Sequence, residues 1–492
     1  DPSIPSDLQS LWTNFDGQQR DGYTTRFGGL RLKNQVTERI RMAHDVSYFG
    51  TDETEFFNIS GQSELFDVSP GGDTESGQGH VGIGRSLQID RADNEVNVNT
   101  LTGGGRYNLT LDRHAVETGW HVRGMEFSDR INEKSVIEVR LDDQSQDITR
   151  FVADSLRDQA SFSATQAGFY VQDAVDVLPE RNRMTVTAGV RTDYYSFNGE
   201  WTVSPRLSTR FRASDRLTLT GAWGIYYQKP IYRELRGKPE PGESILDALN
   251  RDLQSQRSMQ FIAGGEYFFE KKRLYLRAEA YYKDLDNLIS YDIENIRVEY
   301  SGENDSEGYA YGLDLQLRGE FVPGLESWFN YSYLVTNERF TSQFQDRFNE
   351  GLIPRPADQR HTFSAFVQDY VPGDKTWKLH LRALYGSGVP YTPPVPAQTN
   401  SPEGVVMVPG PRNAGRLNPY RRVDMGATKS ITVSDDLLAN PVKLDLTLEV
   451  LNIFDMTNTI AYTWVPDSQN NWTRVPKRLT PRTLNARVRL TF

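Results

Sequence analysis

The side chains able to do chemistry recur at i, i+2 spacing. In residues 274–283, Tyr275, Arg277, Glu279, Tyr281 and Lys283 alternate with Leu274, Leu276, Ala278, Ala280 and Tyr282. In residues 483–492, Thr483, Asn485, Arg487, Arg489 and Thr491 alternate with Leu484, Ala486, Val488, Leu490 and Phe492. Successive strand side chains point to opposite faces, so each segment has one apolar face and one polar, ionic face. Burying such charges in a dry core would be costly; a water-filled lumen removes that cost. Such a face can bind or screen ions and hydrogen-bond a solute. Covalent catalysis has no support: there is no Cys, the six His show no His-x-x-x-His spacing, and no Gly-x-Ser-x-Gly motif occurs. The run Glu303, Asn304, Asp305, Ser306, Glu307 offers oxygens to calcium but lacks the Asp-x-Asp-x-Asp-Gly spacing, so it reads as a solvated loop. No catalytic residue, metal site or cofactor is assigned.

The elements that position these faces must be strands. Hydrophobic residues make up 37% of the 492 residues, and the mean hydropathy is -0.60. No run of about eighteen apolar residues exists, which excludes transmembrane helices. A transmembrane barrel tolerates low hydropathy because half of every strand and all loops are polar. The 24 Tyr and 24 Phe suit interfacial girdles, and the net charge of -11 argues against a nucleic-acid binder.

In chain order, residues 1–21 read as an unpatterned start. Strands are expected over 22–33, 36–49, 80–90, 96–111 and 114–127, with 51–79 mostly loop but room for a short strand near 56–66, a bulge or kink at Gly103, Gly104 and Gly105, and a charged loop over 128–161. From residue 164 the alternation is strong: 164–175, 184–197, 201–211, 217–228, 259–269, 274–284, 309–321, 327–336, 362–371, 377–385, 420–433, 442–451 and 483–492. A short helix is expected over 243–253. Turns near residues 213, 271, 323 and 373 are short, whereas the connections 229–257, 286–307, 337–359, 388–417 and 455–480 are long. Short turns at one rim and long loops at the other are the topology of an outer-membrane barrel. The fold class is therefore all-β: a transmembrane antiparallel β-barrel with about 17–19 strands in this chain. Residues 1–163 supply amino-terminal strands and long loops, and residues 164–492 the carboxy-terminal strands, of one barrel domain. Its last strand needs a partner strand to close on, because an unpaired edge is untenable in lipid.

Several runs carry a resemblance. They are Phe169-Tyr170-Val171-Gln172-Asp173; Ala188-Gly189-Val190-Arg191-Thr192-Asp193-Tyr194-Tyr195; Ser204-Pro205-Arg206-Leu207-Ser208; and Gly221-Ala222-Trp223-Gly224-Ile225-Tyr226-Tyr227-Gln228-Lys229-Pro230. Further on come Ala280-Tyr281-Tyr282-Lys283-Asp284, Gly308-Tyr309-Ala310-Tyr311-Gly312, Asp358-Gln359-Arg360-His361, Tyr385-Gly386-Ser387-Gly388 and Glu449-Val450-Leu451-Asn452-Ile453-Phe454-Asp455. In order and spacing these resemble the barrel of TonB-dependent outer-membrane receptors, over about residues 164–492. The resemblance implies a 22-stranded barrel around an amino-terminal plug, importing metal chelates, cobalamin or glycan-like nutrients. It implies energy from TonB, through a plug segment not seen in this chain. It also implies contact with outer-membrane lipid, a surface lipoprotein lid, and a terminal aromatic strand ending at Phe492 that resembles the signal read by the barrel-assembly machinery. Phe492 then sits at the periplasmic side of a bacterial outer membrane.

Inward residues near the outer strand ends are the candidate ligand contacts: Tyr195, Tyr226, Gln228, Tyr281 and Lys283. The same tyrosines could line a rim girdle or pack against a plug. Arg191, Arg277, Glu279, Asp314, Arg318, Lys443, Glu449, Arg487 and Arg489 are expected to form a lumen-facing ladder of opposite charges across adjacent strands. Two other functions fit a barrel with long outer loops, a passive porin-like channel and a structural or adhesive barrel; neither is an enzyme.

Overall fold

A computed structural model describes residues 8–68, 80–140, 149–178, 183–235, 249–294, 297–341, 351–396, 407–434, 442–466, 472–479 and 481–491. Long strands dominate: β1 (Leu8–Gln35), β2 (Ile40–Val68), β3 (His80–Thr110), β4 (His114–Arg140), β5 (Thr149–Leu178), β6 (Met184–Tyr195), β7 (Glu200–Arg212) and β8 (Leu217–Gln228). They continue with β9 (Gln256–Phe269), β10 (Leu274–Leu288), β11 (Ser306–Val322), β12 (Leu325–Phe340), β13 (His361–Val371), β14 (Asp374–Gly386), β15 (Tyr420–Ser434), β16 (Val442–Leu451) and β17 (Thr483–Thr491). Each pairs antiparallel with the next, and with the two-residue strand Ile353–Pro354 beside β12 they form one 18-stranded sheet. No helix among the described residues is long and apolar enough to cross a membrane.

The expected faces hold throughout the register. Arg277 stands opposite Gln316, Glu279 opposite Asp314 and Tyr281 opposite Gly312 on the lumen face. The alternate positions of β11, Tyr311, Leu313, Leu315, Leu317 and Phe321, face lipid. The tilted ring pair Tyr194–Trp201, with centroids 4.9 Å apart, lies at the long-loop end of the lipid face, and Phe211 lies at the other end of β7. From Trp201 to Phe211 a strand rises about 33 Å, which at a tilt of ~40° spans about 25 Å of membrane thickness.

The connections sort by rim. Those at one rim are short, and two of them are the Pro-Gly pairs at Pro323 and Pro372. Gly324 and Gly373 there have φ of +82° and +87°, a left-handed conformation that glycine adopts without a Cβ penalty. Ion pairs stitch this rim: Arg216–Glu270 at 2.7 Å, Arg273–Glu320 at 3.3 Å and Lys429–Asp374 at 3.1 Å. Exposed pairs of this kind contribute about 0–1 kcal/mol each.

The first third departs from expectation. Residues read as an unpatterned start, as a loop over 51–79 and as a charged loop over 128–161 lie largely in β1, β2, β4 and β5, which with β3 run 27 to 31 residues each. Position 163/164, the expected change of character, falls within β5. These strands rise far beyond the apolar band as a wall on the loop side. Neither face of the wall meets lipid: the outer face is polar, and the inner face meets water or, around Phe127, Asp129 and Phe162, the Tyr232 side chain of the loop after β8, so the apolar/polar alternation that marks a lipid-crossing strand is missing there. Its inner face carries Asp21, Glu53, Glu55, Asp90, Asp129, Glu133 and Asp158 and, among the described side chains, no basic one. Its outer face mixes signs, with the pairs Arg26–Asp52 and Arg130–Glu95.

The expected bulge at Gly103, Gly104 and Gly105 is absent, for β3 keeps its register through them against both neighbours. Gly105 serves packing instead: a Cβ there would lie 2.4 Å from Trp120 Nε1. The helix expected over 243–253 lies mostly outside the described residues, and Leu249, Asn250, Arg251, Asp252 and Leu253 are not helical. A single helical turn, α1 (Tyr232–Leu235), occurs earlier in that loop. Among the described residues β1 pairs only with β2 and β17 only with β16. Both run from the loop rim to the turn rim, so a direct pair between them would be parallel, unlike every other pair in the sheet.

A candidate contact face on the lumen wall

The lumen faces of β7 to β11 bring four of the five predicted contact residues onto one patch. On β8, Tyr226 leans over Gly224, where a Cβ would lie 3.1 Å from its ring. The Arg206 guanidinium of β7 sits 4.7 Å from the centroid of the Tyr226 ring. On β10, Tyr281 leans across Gly312 of β11, where a Cβ would lie 2.5 Å from Tyr281 Oη. The Lys283 ammonium lies 5.3 Å from the Tyr281 ring centroid. Both tyrosines thus turn sideways over a glycine and carry a cation on the ring face. β9 bridges the two pairs: Ser258 stands opposite Tyr226 and Gln260 opposite Lys283, and Gln260 Nε2 donates to Ser258 Oγ at 3.2 Å. Gln228 is exposed at the end of β8, opposite Gln256.

Tyr195 is elsewhere. It is 2% exposed and packs in an apolar cluster with Phe197, Leu235, Leu253 and Ile289. The loop after β8 roofs it and leaves it no open surface in this arrangement. Leu235 and Leu253, 0% and 1% exposed, each contribute about 1.5–3 kcal/mol by burial.

Beside the patch the wall is hollowed. A cavity of about 290 Å³ is lined by His121, Arg191, Asp193, Arg206, Tyr226 and Lys229, among others. An adjoining hollow of about 240 Å³ is lined by Arg106, Glu117, Tyr170, Arg191 and Arg206, among others. Arg191 and Arg206 border both hollows.

The charges expected to form a ladder across adjacent strands make their closest pairs along strands instead. Arg191 grips both oxygens of Asp193 at 2.7 and 2.8 Å, and Arg277 reaches Glu279 at 2.6 Å. Across strands, Arg277 is 4.0 Å from Glu266, while Glu279 and Asp314 stand opposite each other as like charges. Arg318 lies over the Tyr275 ring at 5.7 Å. Glu449 pairs with His380 at 2.9 Å and accepts a hydrogen bond from Asn485 at 2.8 Å. Lys443 stands opposite Thr491, Arg487 opposite Thr447 and Arg489 opposite Asp445. Phe492 lies outside the described residues.

The loop rim holds groups that strand periodicity could not reveal. Glu338 and Asp358 are 1% and 0% exposed. Glu338 takes Arg355 at 3.0 Å and Arg412 at 3.3 Å. Asp358 takes Arg360 at 2.8 Å and also Arg416, and its other oxygen accepts the Thr336 N–H at 2.8 Å. The arginines come from loops far apart in sequence, and only their density in residues 355–360 and 412–416 hinted at this. The acidic run read as a solvated loop contains a structural residue: Asp305 accepts the Ser290 N–H at 2.9 Å and the Ser290 hydroxyl at 2.6 Å. Among the described residues no group of His, Cys, Asp and Glu is arranged to hold a metal.

Glu234, in α1, is 4% exposed. It accepts the Ile231 N–H at 2.8 Å and Gln256 Nε2 at 3.0 Å, yet burial pushes its carboxyl above the ordinary glutamate range. A carboxyl with a raised folded-state pKa binds its proton more tightly when folded, so stability falls as pH rises from the unfolded to the folded pKa. Hydrogen exchange over 231–235, corrected for intrinsic rates, is expected to slow as pH is lowered from neutral through that window. Glu234→Gln is expected to abolish the dependence; an unchanged profile in that variant would refute the assignment.

Comparison with known proteins places this architecture. A search of curated protein sequences gives no match. Among solved structures, the copper transporter OprC superposes with a TM-score of 0.52 at 13% identity, covering 98% of this chain and 76% of that one. BauA, the ferric preacinetobactin receptor from Acinetobacter baumannii, gives 0.51 at 12%, covering 98% and 76%. FpvAI in its complex with pyocin S2 gives 0.51 at 11%, covering 98% and 69%. At these identities the likeness shows the fold alone. The family model described as TonB dependent receptor-like, beta-barrel matches residues 1–453. The chain therefore belongs to the TonB-dependent receptor β-barrel family of outer-membrane transport proteins, which are not enzymes.

Proposed function

We propose that this barrel serves an outer-membrane receptor that imports a scarce nutrient, a metal chelate, cobalamin or a glycan-like solute, with energy supplied by TonB acting on a plug. The observation that carries this reading is the lumen face itself. Two tyrosine–cation pairs, Arg206–Tyr226 and Lys283–Tyr281, flank hydrogen-bonding Ser258 and Gln260 just inside the loop rim. Such a face offers a solute aromatic surface, cations and amides together, whereas a passive channel needs only a solvated wall. Metal-bearing cargo is the first class to test, since proteins of the same fold are named as a copper transporter and a ferric preacinetobactin receptor. In this reading Tyr226, Gln228, Tyr281 and Lys283 touch the solute, Tyr195 holds the loop above them, and the charged lumen residues face solvent and the plug. The turn rim, toward which β17 runs, lies on the periplasmic side, where the assembly machinery would read the last strand, and a surface lipoprotein covers the loop rim.

Ligand co-purified with the full-length protein, identified by mass spectrometry, gives the probe. Tyr226→Ala and Lys283→Ala are each expected to raise its Kd about tenfold, the size of one desolvated cation–aromatic contact. Uptake by whole cells should stop when the proton gradient is collapsed. Unchanged affinity in both variants would remove this face from the binding site, and uptake that survives the collapse would favour the passive channel.

A further inference from the structure

Among the described residues, the loops between β8 and β15 hold two bodies, each fastened by a different kind of contact. The first is apolar. Ile289, 1% exposed, packs with Leu235, Leu253 and Tyr300. Around this cluster, Asn250 Nδ2 donates to Gly302 O at 2.9 Å, the Gln254 N–H donates to Asn304 Oδ1 at 2.7 Å, and Asn304 Nδ2 returns to Gln254 O at 3.1 Å. Residues 229–235 and 249–255 and the hairpin of Tyr291–Glu294 with Arg297–Tyr300 are thereby one unit.

The second body is ionic. Asp358 binds Arg416, which also donates to Asp358 O at 2.7 Å and Gly388 O at 3.1 Å. Asn413 Nδ2 donates to Pro354 O at 2.8 Å, and the Asn413 N–H donates to Thr392 Oγ1 at 3.1 Å. Residues 353–360 are thus tied to residues 387–392 and 412–417.

Arg412 touches both bodies. Its side chain is 10% exposed. From the ionic body, to which Arg412 itself belongs, its guanidinium Nη2 donates to the Tyr291 carbonyl of the apolar body and lies 3.3 Å from Glu338 at the end of β12. Its plane lies over the Phe340 ring at 5.2 Å. The two N–H groups of Nη2 let one nitrogen serve a carbonyl and a carboxylate while the planar guanidinium lies on an aromatic face, a stacking that the compact ammonium of lysine does not reproduce.

We propose that Arg412 is the coupling residue that makes these loops a single lid over the β10–β15 side of the rim, so that they loosen together instead of as separate flaps. The inference rests on loop packing and stands whether or not the barrel imports a nutrient. Coupling of this kind is measured by how a perturbation in one body is felt in the other.

The test is hydrogen exchange of the full-length protein in lipid nanodiscs. Asp358→Asn weakens the ionic body, and Arg416→Gln is a second, milder route should the first disturb assembly. With Arg412 present, either change is expected to speed exchange in peptides over 291–300 about tenfold, as well as in those over 410–417. In the Arg412→Met background the same change should still speed 410–417 but leave 291–300 at the rate of Arg412→Met alone, and Arg412→Lys should restore little of the coupling. Two results overturn the proposal: no effect on 291–300 while Arg412 is present, which means separate flaps, or an equal effect in its absence, which means coupling by another route.

Discussion

Asp358→Ala is expected to cost the outer rim about 3 kcal/mol, the low end of the range for removing one partner of a buried charge pair. Asp358 is 0% exposed, and it neutralises Arg360 and Arg416 while accepting the Thr336 N–H. Alanine would leave two guanidinium groups and one amide without their carboxylate. The low end applies because the Arg360 and Arg416 side chains, 33% and 36% exposed, can regain water. Limited proteolysis should then cut 387–419 and 353–360 at least tenfold faster, while heat-modifiable migration of the barrel stays as in the wild type. The strand ladder does not pass through Asp358, so a change in barrel migration would contradict this division between rim and wall. Asp358→Asn, which keeps an acceptor and loses the charge, should fall between.

Leu315→Arg should destabilise the barrel by about 2–4 kcal/mol, the cost of a guanidinium on the lipid face near the bilayer midplane. Leu315 lies on the lipid face of β11 between Tyr311 and Phe321, and its register partners Ala278 and Tyr331 share that face. The adjacent Gln316→Arg points into the lumen opposite Arg277 and Asn330. It loses one hydrogen bond, from Gln316 Nε2 to Asn330 Oδ1 at 3.0 Å, and should cost about 1 kcal/mol. Denaturant unfolding of the full-length protein in lipid vesicles distinguishes them. Equal costs at the two positions would mean that the faces are misassigned or that this part of β11 is not in the membrane.

The assignment of faces was legible because it depends on a period of two. Arg277 and Glu279, or Arg487 and Arg489, cannot change sides without turning every neighbouring Leu and Ala into the lumen. The sites of the short turns were equally local, since the Pro-Gly pairs at Pro323 and Pro372 carry their own backbone geometry. Tyr226, Gln228, Tyr281 and Lys283 were found by the same logic, as inward residues near outer strand ends. Tyr195 satisfied that logic too, yet it is enclosed, because a loop more than thirty residues further along folds down over it.

The part of the barrel set between oil and water is thus encoded locally, because solvent on one side and lipid on the other write an alternation into every strand. The height of the wall built by β1 to β5 emerged from the fold, because with lipid on neither face that alternation is erased and cross-strand hydrogen bonds alone define the strands. The rim was decided in the same way. The partners of Glu338 and Asp358 lie 17 to 74 and 2 to 58 positions away, and no local spacing records which buried carboxylate an arginine from a distant loop will meet.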